Sequence, residues 1–254
     1  MSDARERLPI TVVIPTLNVS AGIADAIRSV AWAGEVIVAD GGSTDDTVAR
    51  ARAAGAVVLE HTGPTIGAQR NAAIERAAND WILALDADER ATPSLRDQLA
   101  AAIAATIAAP AFDVFRVRRE NTYLGKVMRG GDMARDWHMC VFRKTFRYND
   151  ARVHERLTGV TATGRMAGPI QHMPYRSLRH HAEKTVRYAQ WGAELRFARG
   201  ERASIADLVF RFPFRFIREY VFYSGWRDGW RGAVAAGMSG YSAFLRAAML
   251  RELQ

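Results

Sequence analysis

Short apolar runs alternate with amphipathic stretches along the first half of the chain. Apolar runs bounded by polar residues predict buried strands, whereas periodic stretches of about 10–15 residues predict helices. The predicted strands cover residues 10–15, 35–40, 56–60, 81–85 and 112–118. The predicted helices end near residues 32 and 54 and cover residues 66–78 and 92–108. This alternation predicts an α/β fold with a mostly parallel sheet flanked by helices.

The pattern changes in the second half. Residues 119–173 are irregular and polar, which indicates loops and a few antiparallel strands, and helical periodicity returns at 175–199, 203–223 and 230–253. A chain of 254 residues can bury a full core. We therefore expect one domain at 1–174, with halves at 1–119 and 120–174, followed by a helical C-terminal extension at 175–254.

Composition indicates the cellular compartment in which we expect the protein. The single cysteine, Cys140, excludes a disulfide framework and a thiolate metal site and indicates a reducing compartment. The first eight residues are charged and precede no signal-like apolar stretch, and no apolar run approaches the roughly 18 residues of a membrane span. These observations predict a cytoplasmic protein.

The net charge of +8 is concentrated in the C-terminal third, because residues 174–254 hold 14 Lys and Arg against 7 Asp and Glu. Arg211, Arg215 and Arg218 would form a basic stripe on a helix, and 9 of the 24 aromatic residues lie between Phe210 and Trp230. Such helices lie at anionic membrane interfaces.

Two alternatives accompany the membrane interpretation of this segment. In the first, the helix packs on the catalytic domain with its arginines facing water, and Pro213 causes a kink or marks a helix start. In the second, the basic region binds nucleic acid. The segment has no stacking-platform motif, so we expect no nucleic-acid partner.

Two carboxylates, Asp86 and Asp88, follow the apolar run at 81–85. Open α/β sheets bind ligands at the carboxyl ends of their strands. Paired carboxylates there suit Mg²⁺ or Mn²⁺ held together with substrate phosphates, because these cations prefer oxygen ligands. In the alternative interpretation, both aspartates cap the next helix, which Thr92 and Pro93 open.

Further polar residues stand at predicted strand ends and helix starts. Asp40 ends the second strand and would contact a ribose or base, or cap the following helix. Arg70 would reach a phosphate or remain solvated on a helix face, and Asn71 would bond a base or tie loops together. The absence of G-x-G-x-x-G after the first strand, and of any P-loop, argues against dinucleotide oxidoreductases and P-loop NTPases.

In this order the motifs resemble those of the family 2 inverting glycosyltransferases, which have the GT-A fold. The matching segments are VIPTLN at 13–18, VIVADGGSTDDT at 36–47, GAQRN at 67–71 and LDADE at 85–89. The later segments VHERL at 153–157, HMPYRSL at 172–178 and KTVRYA at 184–189 resemble the branch that contains lipopolysaccharide-core β-glucosyltransferases. The chain departs from the family at Val19, where an acid is common, and at Met139–Arg143, which replaces an Arg-Leu-Phe-Arg.

The resemblance implies a GT-A catalytic domain at 1–174, with its nucleotide-sugar half at 1–119 and its acceptor half at 120–174. It also implies that eight residues bind the nucleotide sugar. These are Pro15, Thr16, Asn18, Asp40, Arg70, Asn71, Asp86 and Ala87.

The same resemblance implies a divalent cation, Mg²⁺ or Mn²⁺, on the donor diphosphate. Asp88 would hold the cation with assistance from Asp86, and His172 would be a further ligand or a merely structural histidine. The cation would neutralise charge on the leaving nucleoside diphosphate.

Inversion by direct displacement needs a base that takes the proton of the acceptor hydroxyl. We expect Glu155 in this role, with Asp132 and Asp136 as competitors. Otherwise Glu155 is an ordinary surface residue paired with a neighbouring arginine. His154 would orient the acceptor or simply pack.

These features together predict a metal-dependent enzyme that moves a hexose from a UDP-glucose-like donor onto a lipid-linked glycan such as lipopolysaccharide core. It would be peripheral on the inner face of the cytoplasmic membrane. A polyprenyl phosphate acceptor is one alternative, and a non-catalytic nucleotide-sugar or glycolipid binding protein is another.

Overall fold

A computed structural model describes residues 7–105, 112–151 and 155–254. The strands are β1 (Leu8–Thr16), β2 (Ala33–Asp40), β3 (Val57–Leu59), β4 (Trp81–Ala84), β5 (Glu89–Ala91), β6 (Val114–Tyr123), β7 (Lys126–Val127), β8 (Trp137–Arg143) and β9 (Gly164–His172). The helices are α1 (Ile23–Ser29), α2 (Thr47–Ala53), α3 (Ile66–Arg76), α4 (Pro93–Ala105), α5 (Leu178–Ala198), α6 (Ile205–Ile217) and α7 (Trp230–Glu252).

The strands form a mixed sheet in the order β3-β2-β1-β4-β8-β6-β9-β5, and β7 pairs with the end of β6. β1 is parallel to β2 and β4, whereas β8 is antiparallel to β4 and β6. Ile10, Val12, Val13 and Ile14 in β1 are completely buried. A strand with apolar side chains on both of its faces fits the centre of a sheet covered by helices, and the α/β prediction is confirmed. The sheet is mixed rather than mostly parallel, because β5 to β9 pair in antiparallel fashion.

The boundaries differ from the predictions where the apolar pattern is weak. β5 was not predicted, because Glu89-Arg90-Ala91 carries no apolar alternation; it forms by pairing with β9. β6 begins two residues after the predicted start and continues past the predicted end at 118 to Tyr123. The predicted end of α4 at 108 lies outside the described residues.

The chain divides into two compact units. The first comprises Met1–Arg119 and Trp137–His172, and the second comprises Glu120–Asp136 and Met173–Gln254. The sequence-based boundary at 174 lies close to the second junction, but residues 120–136 group with the C-terminal helices. The functional halves assigned to 1–119 and 120–174 stay predictions.

The predicted helix at 203–223 consists of α6 and a π-helical turn at Arg218–Phe222. Ser204 caps α6 in a reciprocal capping box with Asp207. Pro213 lies inside α6 rather than at its start.

The orientation of α6 is the reverse of the packed alternative. Arg211, Arg215 and Arg218 are half-buried and pair with carboxylates within the second unit, whereas Phe210 and Phe214 are 64% and 67% exposed. The interpretation in which the arginines face water is therefore wrong.

Two glycines of α7 allow close approach of neighbouring segments in the second unit. A Cβ atom at Gly232 would lie 1.9 Å from the carbonyl oxygen of Gly225, and one at Gly240 would lie 3.0 Å from the carbonyl oxygen of Phe212. Helix α7 thus contacts both α6 and the turn that follows it, without intervening side chains at these points.

Within the described ranges, no helix combines the length and apolarity that crossing a bilayer requires.

Candidate active site at the carboxyl edge of the sheet

The strand order brings the ends of four strands to one edge of the sheet. β2 and β4 are parallel to β1, so Asp40 at the end of β2 and Asp86 beyond β4 both lie at the carboxyl edge. Because β8 is antiparallel to both β4 and β6, β6 is parallel to β4. Arg119 in the second half of β6 and His138 near the start of β8 therefore reach this ligand-binding edge as well.

Asp40 is 1% exposed and organises the loop that follows β2. Its Oδ2 accepts hydrogen bonds from the backbone N–H groups of Gly42 and Ser43 at 2.9 and 2.7 Å, and its Oδ1 accepts one from the Thr16 hydroxyl at 3.0 Å. Burial raises the pKa of Asp40, but the hydrogen bond from the Ser43 hydroxyl, together with these three, outweighs burial and lowers the pKa below its usual value. The helix-cap alternative is wrong, because α2 begins only at Thr47.

Asn18 and Pro15 lie beside the same loop. Asn18 has a φ of +55°, a conformation that asparagine tolerates better than most residues. Its Oδ1 accepts a hydrogen bond from the backbone N–H of Thr44 at 2.9 Å, and its own N–H donates to Ser43 Oγ at 2.9 Å. Pro15 is in register with Ala39 of β2. These contacts fix the loop against the end of β1.

Arg70 is 2% exposed, so the interpretation of a solvated helix-face arginine is wrong. Its Nη2 donates to Asp86 Oδ1 at 2.6 Å, and its Nη1 donates to Glu155 Oε1 at 2.6 Å. The guanidinium also lies 4.9 Å from the centre of the Tyr148 ring. One buried cation therefore joins two acids that are far apart in the sequence.

Asp86 is held by a second arginine. Arg119 Nη2 donates to Asp86 Oδ2 at 3.0 Å, while Arg119 Nε donates to Glu89 Oε1. Burial raises the pKa of Asp86, but the charges of Arg70 and Arg119 outweigh burial and hold that pKa well below its usual range. We call Arg70, Asp86, Glu89, Arg119 and Glu155 the edge cluster.

Glu89 is the fully buried member of the edge cluster. Its Oε2 accepts a hydrogen bond from the backbone N–H of Asp86 at 2.8 Å. Burial, together with the negative charge of Asp86, raises the pKa of Glu89 to about 7. Glu89 therefore ties the turn after β4 to Arg119 and fixes the direction of the Asp86 carboxylate.

Neither aspartate of the pair caps α4. The cap is Thr92, whose Oγ1 accepts a hydrogen bond from the backbone N–H of Leu95 at 3.2 Å. The helix-cap interpretation of Asp86 and Asp88 is therefore wrong.

Asp88 is open to solvent, with 43% of its side chain exposed. Its Oδ1 lies 3.6 Å from Nε2 of His172, the last residue of β9. The pairing of β5 with β9 sets Glu89 opposite His172 in register and so brings the histidine to Asp88. An imidazole nitrogen and an exposed carboxylate thus face the same space.

This pair fits a divalent cation that takes its remaining ligands from a substrate. No three His, Cys, Asp or Glu side chains group closely enough to hold a metal in the described part of the chain. Mg²⁺ in phosphate-handling sites is commonly held by one or two carboxylates plus the phosphates themselves. The oxygens of Asp86 accept hydrogen bonds from Arg70 and Arg119, so Asp88 and His172 are the side chains that could hold such a cation.

His138 lies in the same region and was not predicted from the sequence. Its Nε2 is buried and has no hydrogen-bond partner among the described residues. Burial and the charge of Arg119 lower the pKa of His138 to about 3, so the ring is neutral at physiological pH.

Asn71 and Ala87 have structural contacts at this edge. Asn71 Nδ2 donates to the Tyr148 carbonyl at 2.9 Å, and its Oδ1 accepts from the Tyr148 backbone N–H at 2.9 Å. Asn71 therefore ties α3 to the segment after β8. Ala87 is buried, and its carbonyl accepts a hydrogen bond from Arg90 Nη1 at 3.0 Å.

The two competing acids belong to the second unit. Asp132 Oδ2 lies 2.5 Å from Arg215 Nη2 and 3.5 Å from Arg218 Nη2, and Asp136 Oδ2 accepts a hydrogen bond from Asn121 at 3.3 Å. Arg215 Nε also lies 3.0 Å from Oε1 of Glu219, which Ser239 contacts through its hydroxyl. We call Asp132, Arg215, Arg218, Glu219 and Ser239 the helix cluster.

Sequence patterns alone missed Arg119, Glu89 and His138. Arg119 directly follows a predicted strand. Asp40 and Asp86 stand at the same kind of position, at or just after the end of a strand, and this position is the signal that could have identified Arg119. Glu89 had only its adjacency to Asp88 as a signal. His154, the suggested acceptor-orienting residue, lies outside the described residues.

A family model, glycosyl transferase family 2, matches residues 11–167. The chain is 27% identical to the lipopolysaccharide core biosynthesis glycosyltransferase LpsC of Rhizobium meliloti, over 97% of this chain and 93% of that protein. It is 28% identical to an uncharacterised glycosyltransferase of Rickettsia prowazekii, over 96% of this chain and 87% of that protein.

Solved structures of glucosyl-3-phosphoglycerate synthase from Mycobacterium tuberculosis also match. A complex with Mn²⁺, UDP and glucosyl-3-phosphoglycerate has a TM-score of 0.37 and 25% identity, over 44% of this chain and 44% of that chain. A complex with Mg²⁺ and UDP has a TM-score of 0.36 and 26% identity, over 46% and 44%. The chain therefore matches less than half the length of these structures.

Proposed function

Because this chain belongs to glycosyl transferase family 2, we propose that it is an inverting, metal-dependent hexosyltransferase that acts on a lipid-linked glycan. The observation that carries the proposal is the edge cluster, which places two arginines beside the exposed Asp88–His172 pair. The GT-A arrangement of sheet and helices, with the site at the carboxyl edge, supplies the frame for a nucleotide-sugar donor.

The donor binds along the carboxyl edge. Pro15, Thr16, Asn18 and Asp40 form the nucleoside end of the pocket, where the hydrogen bonds of Asp40 keep the loop in a fixed shape. Arg70 and Arg119 supply positive charge at the diphosphate end. Asn71, Asp86 and Ala87 shape that end, Asn71 through its ties to the backbone and Asp86 by orienting both guanidinium groups.

Asp88 and His172 would hold Mg²⁺ or Mn²⁺ beside the donor diphosphate. Such a cation would neutralise the charge that develops on the leaving nucleoside diphosphate. The basic side chains of the edge cluster act on the same charge from fixed positions, which adds electrostatic stabilisation without reorganisation.

Glu155 removes the proton from the acceptor hydroxyl. The deprotonated oxygen attacks the anomeric carbon, the bond to the diphosphate oxygen breaks, and the sugar is transferred with inversion in one displacement. Arg70 orients the carboxylate through Oε1 at 2.6 Å, and no hydrogen bond reaches Oε2 from residues that the structure describes.

The acceptor is a lipid-linked saccharide, such as the core of lipopolysaccharide, and the donor is a UDP-hexose. Similarity to LpsC over almost the whole chain supports this choice of acceptor class. We further propose that the enzyme works peripherally at the inner face of the cytoplasmic membrane, where such an acceptor would be presented. A polyprenyl phosphate is the other acceptor to be tested.

The test is a screen of nucleotide sugars with the full-length protein, with and without Mn²⁺ or Mg²⁺. A donor that binds only the native state raises the apparent melting temperature, and we expect that rise for UDP-hexoses only when the cation is present. The donor identified is then offered with lipopolysaccharide core and with polyprenyl phosphate, and the anomeric configuration of the product is read by NMR. Failure of every donor to bind, or retention of configuration, contradicts the proposal.

A further inference from the structure

The outward side of α6 and the turn after it is apolar. Val209, Phe210, Phe214, Ile217, Val221 and Phe222 are between 46% and 72% exposed. Phe210, Phe214, Ile217 and Val221 are spaced four, three and four residues apart and therefore share one side of the helical segment, with Val209 and Phe222 next to them in sequence at its two ends. We call these six residues the apolar face.

The arginines of the same segment are half-buried and form ion pairs within the second unit. Arg211 lies 2.7 Å from Asp207, and Arg215 contacts Asp132, Ser239 and Glu219. These ion pairs engage the arginines within the second unit. The segment therefore exposes its hydrophobic side more than its charged side, which is the reverse of an ordinary surface helix.

Two tryptophans continue the apolar face beyond α6. Trp226 and Trp230 are each 59% exposed, and the Arg231 guanidinium lies 4.6 Å from the centre of the Trp230 ring. Tryptophan concentrates at the boundary between lipid headgroups and acyl chains, where its ring is buried and its N–H stays wet. Contiguous exposed apolar surface of this kind marks an interaction site rather than ordinary surface.

Charge selects the occupant of this surface. Residues 174–254 carry 14 basic and 7 acidic side chains, and Arg202 and Arg227 are exposed near the two ends of the segment. A second copy of the chain would present the same positive charge and be repelled. An anionic phospholipid surface would attract it, and each basic residue near such a surface contributes about 1 kcal/mol.

We propose that the apolar face inserts into the interface of an anionic phospholipid membrane, with α6 lying in the membrane plane. Trp226 and Trp230 sit at the headgroup level, and Arg202 and Arg227 contact lipid phosphates. The inference extends the proposed function, from which it takes the membrane-linked acceptor, but its test does not depend on glycosyl transfer.

The test compares the full-length protein with three variants in flotation with vesicles. The vesicles contain phosphatidylcholine alone or phosphatidylcholine with phosphatidylglycerol. Val221→Glu and Val57→Glu form a matched pair, because both valines are 53% exposed and Val57 lies on β3 of the first unit. The double variant Phe214→Glu/Phe222→Glu removes the two most exposed aromatic side chains of the apolar face.

We expect the wild type and Val57→Glu to float with phosphatidylglycerol vesicles. Val221→Glu should bind about tenfold more weakly and the double variant about a hundredfold more weakly, in line with the burial of one or two large apolar side chains. Thermal unfolding of each variant checks that the fold is retained. The rate at which nucleoside diphosphate is released from the donor in solution should be the same in all four proteins.

Several outcomes overturn the inference. Wild type that binds neither kind of vesicle contradicts it, as does equal binding by Val57→Glu and the double variant. If light scattering shows that the wild type is a dimer and the double variant a monomer, the apolar face binds a second copy of the chain instead. If the wild type binds vesicles but releases no nucleoside diphosphate from any donor, the proposed function is contradicted and the membrane inference is not.

Discussion

The edge cluster and the helix cluster both join arginines to carboxylates, but they stand in opposite relations to solvent. In the edge cluster, Arg70 has only 3% of its side chain exposed, and Asp88 close by is open. In the helix cluster, Arg215 has 32% of its side chain exposed, and the most exposed side chains nearby on α6 are aromatic.

This difference separates two uses of buried ion pairs. The edge cluster holds polar groups at fixed positions beside an exposed polar site, an arrangement suited to binding an anionic ligand. The helix cluster pairs the charges of an amphipathic helix in a half-buried position and leaves its apolar side more exposed. Changes in the edge cluster and its neighbours should therefore affect catalysis or the stability of the first unit. Changes in the helix cluster should affect stability in a pH-dependent manner.

The largest expected effect follows from removing the exposed acid of the site. Asp88→Ala should reduce hexosyl transfer by about a thousandfold or more, because the metal loses a ligand. Stability should hardly change, since the side chain is 43% exposed. Initial rates at saturating Mn²⁺ measure the effect, with Asp113→Ala, an exposed acid of the same unit, as the control. Full activity in the Asp88 variant would contradict the assignment of Asp88 as a metal ligand.

Next in size is the change of the proposed base. Glu155→Gln should lower kcat by about 10²–10⁴-fold, because the amide cannot accept the acceptor proton. The binding constant of the donor, measured by calorimetry, should remain close to that of the wild type. Glu75→Gln on the exposed side of α3 serves as the control. Loss of donor binding together with kcat would show that Glu155 positions Arg70 instead.

A comparison of the two arginines sharpens the contrast between the clusters. Arg70→Met should lower the free energy of unfolding by about 3 kcal/mol, because two acids lose a buried partner. Arg215→Met should cost about 1 kcal/mol, because its ion pairs are partly solvated. Denaturant titration at neutral pH measures both, and equal losses would contradict the distinction.

The last prediction concerns the pH dependence of stability. Burial raises the pKa of Glu219 from 4.5 to about 7. The folded protein thus holds this proton more tightly than the unfolded chain, so the stabilisation is complete below about pH 4.5 and is lost as pH rises through 7. The free energy of unfolding should therefore fall as pH rises, and Glu219→Gln should remove up to about 3 kcal/mol of that fall.

Chemical denaturation at about pH 5 and pH 8 checks this prediction. Glu89 also has a pKa raised to about 7, so part of the decline should remain in the Glu219→Gln variant. A variant with the full wild-type pH dependence would show that Glu219 does not contribute.

The strands and the edge at which the site forms could be predicted from the sequence, because apolar runs with polar ends specify both. Asp40, Asp86 and Arg70 were identified by position for that reason. Their contacts could not be predicted. Arg70 meets Glu155 across 85 residues of sequence, and only the strand order, with β8 inserted between β4 and β6, brings Arg119 to Asp86.

The direction in which α6 faces was also beyond the sequence pattern. Periodicity at Arg211, Arg215 and Arg218 defines two sides of a helix but does not say which is enclosed. That choice is made by the acids that meet the arginines, which are Asp132 from a 3-10 turn about 80 residues upstream and Glu219 from the π turn.

The contacts of Gly232 and Gly240 bear on how the protein behaves away from lipid. Because the backbones of Gly225 and Phe212 approach α7 at these points, a rotation of α6 that exchanged its two sides would have to break the close approach at Gly240. In the absence of lipid, its exposed aromatic side chains therefore face water. Without lipid or detergent, the protein should consequently self-associate as its concentration rises. An amphiphile should be the additive that prevents this self-association.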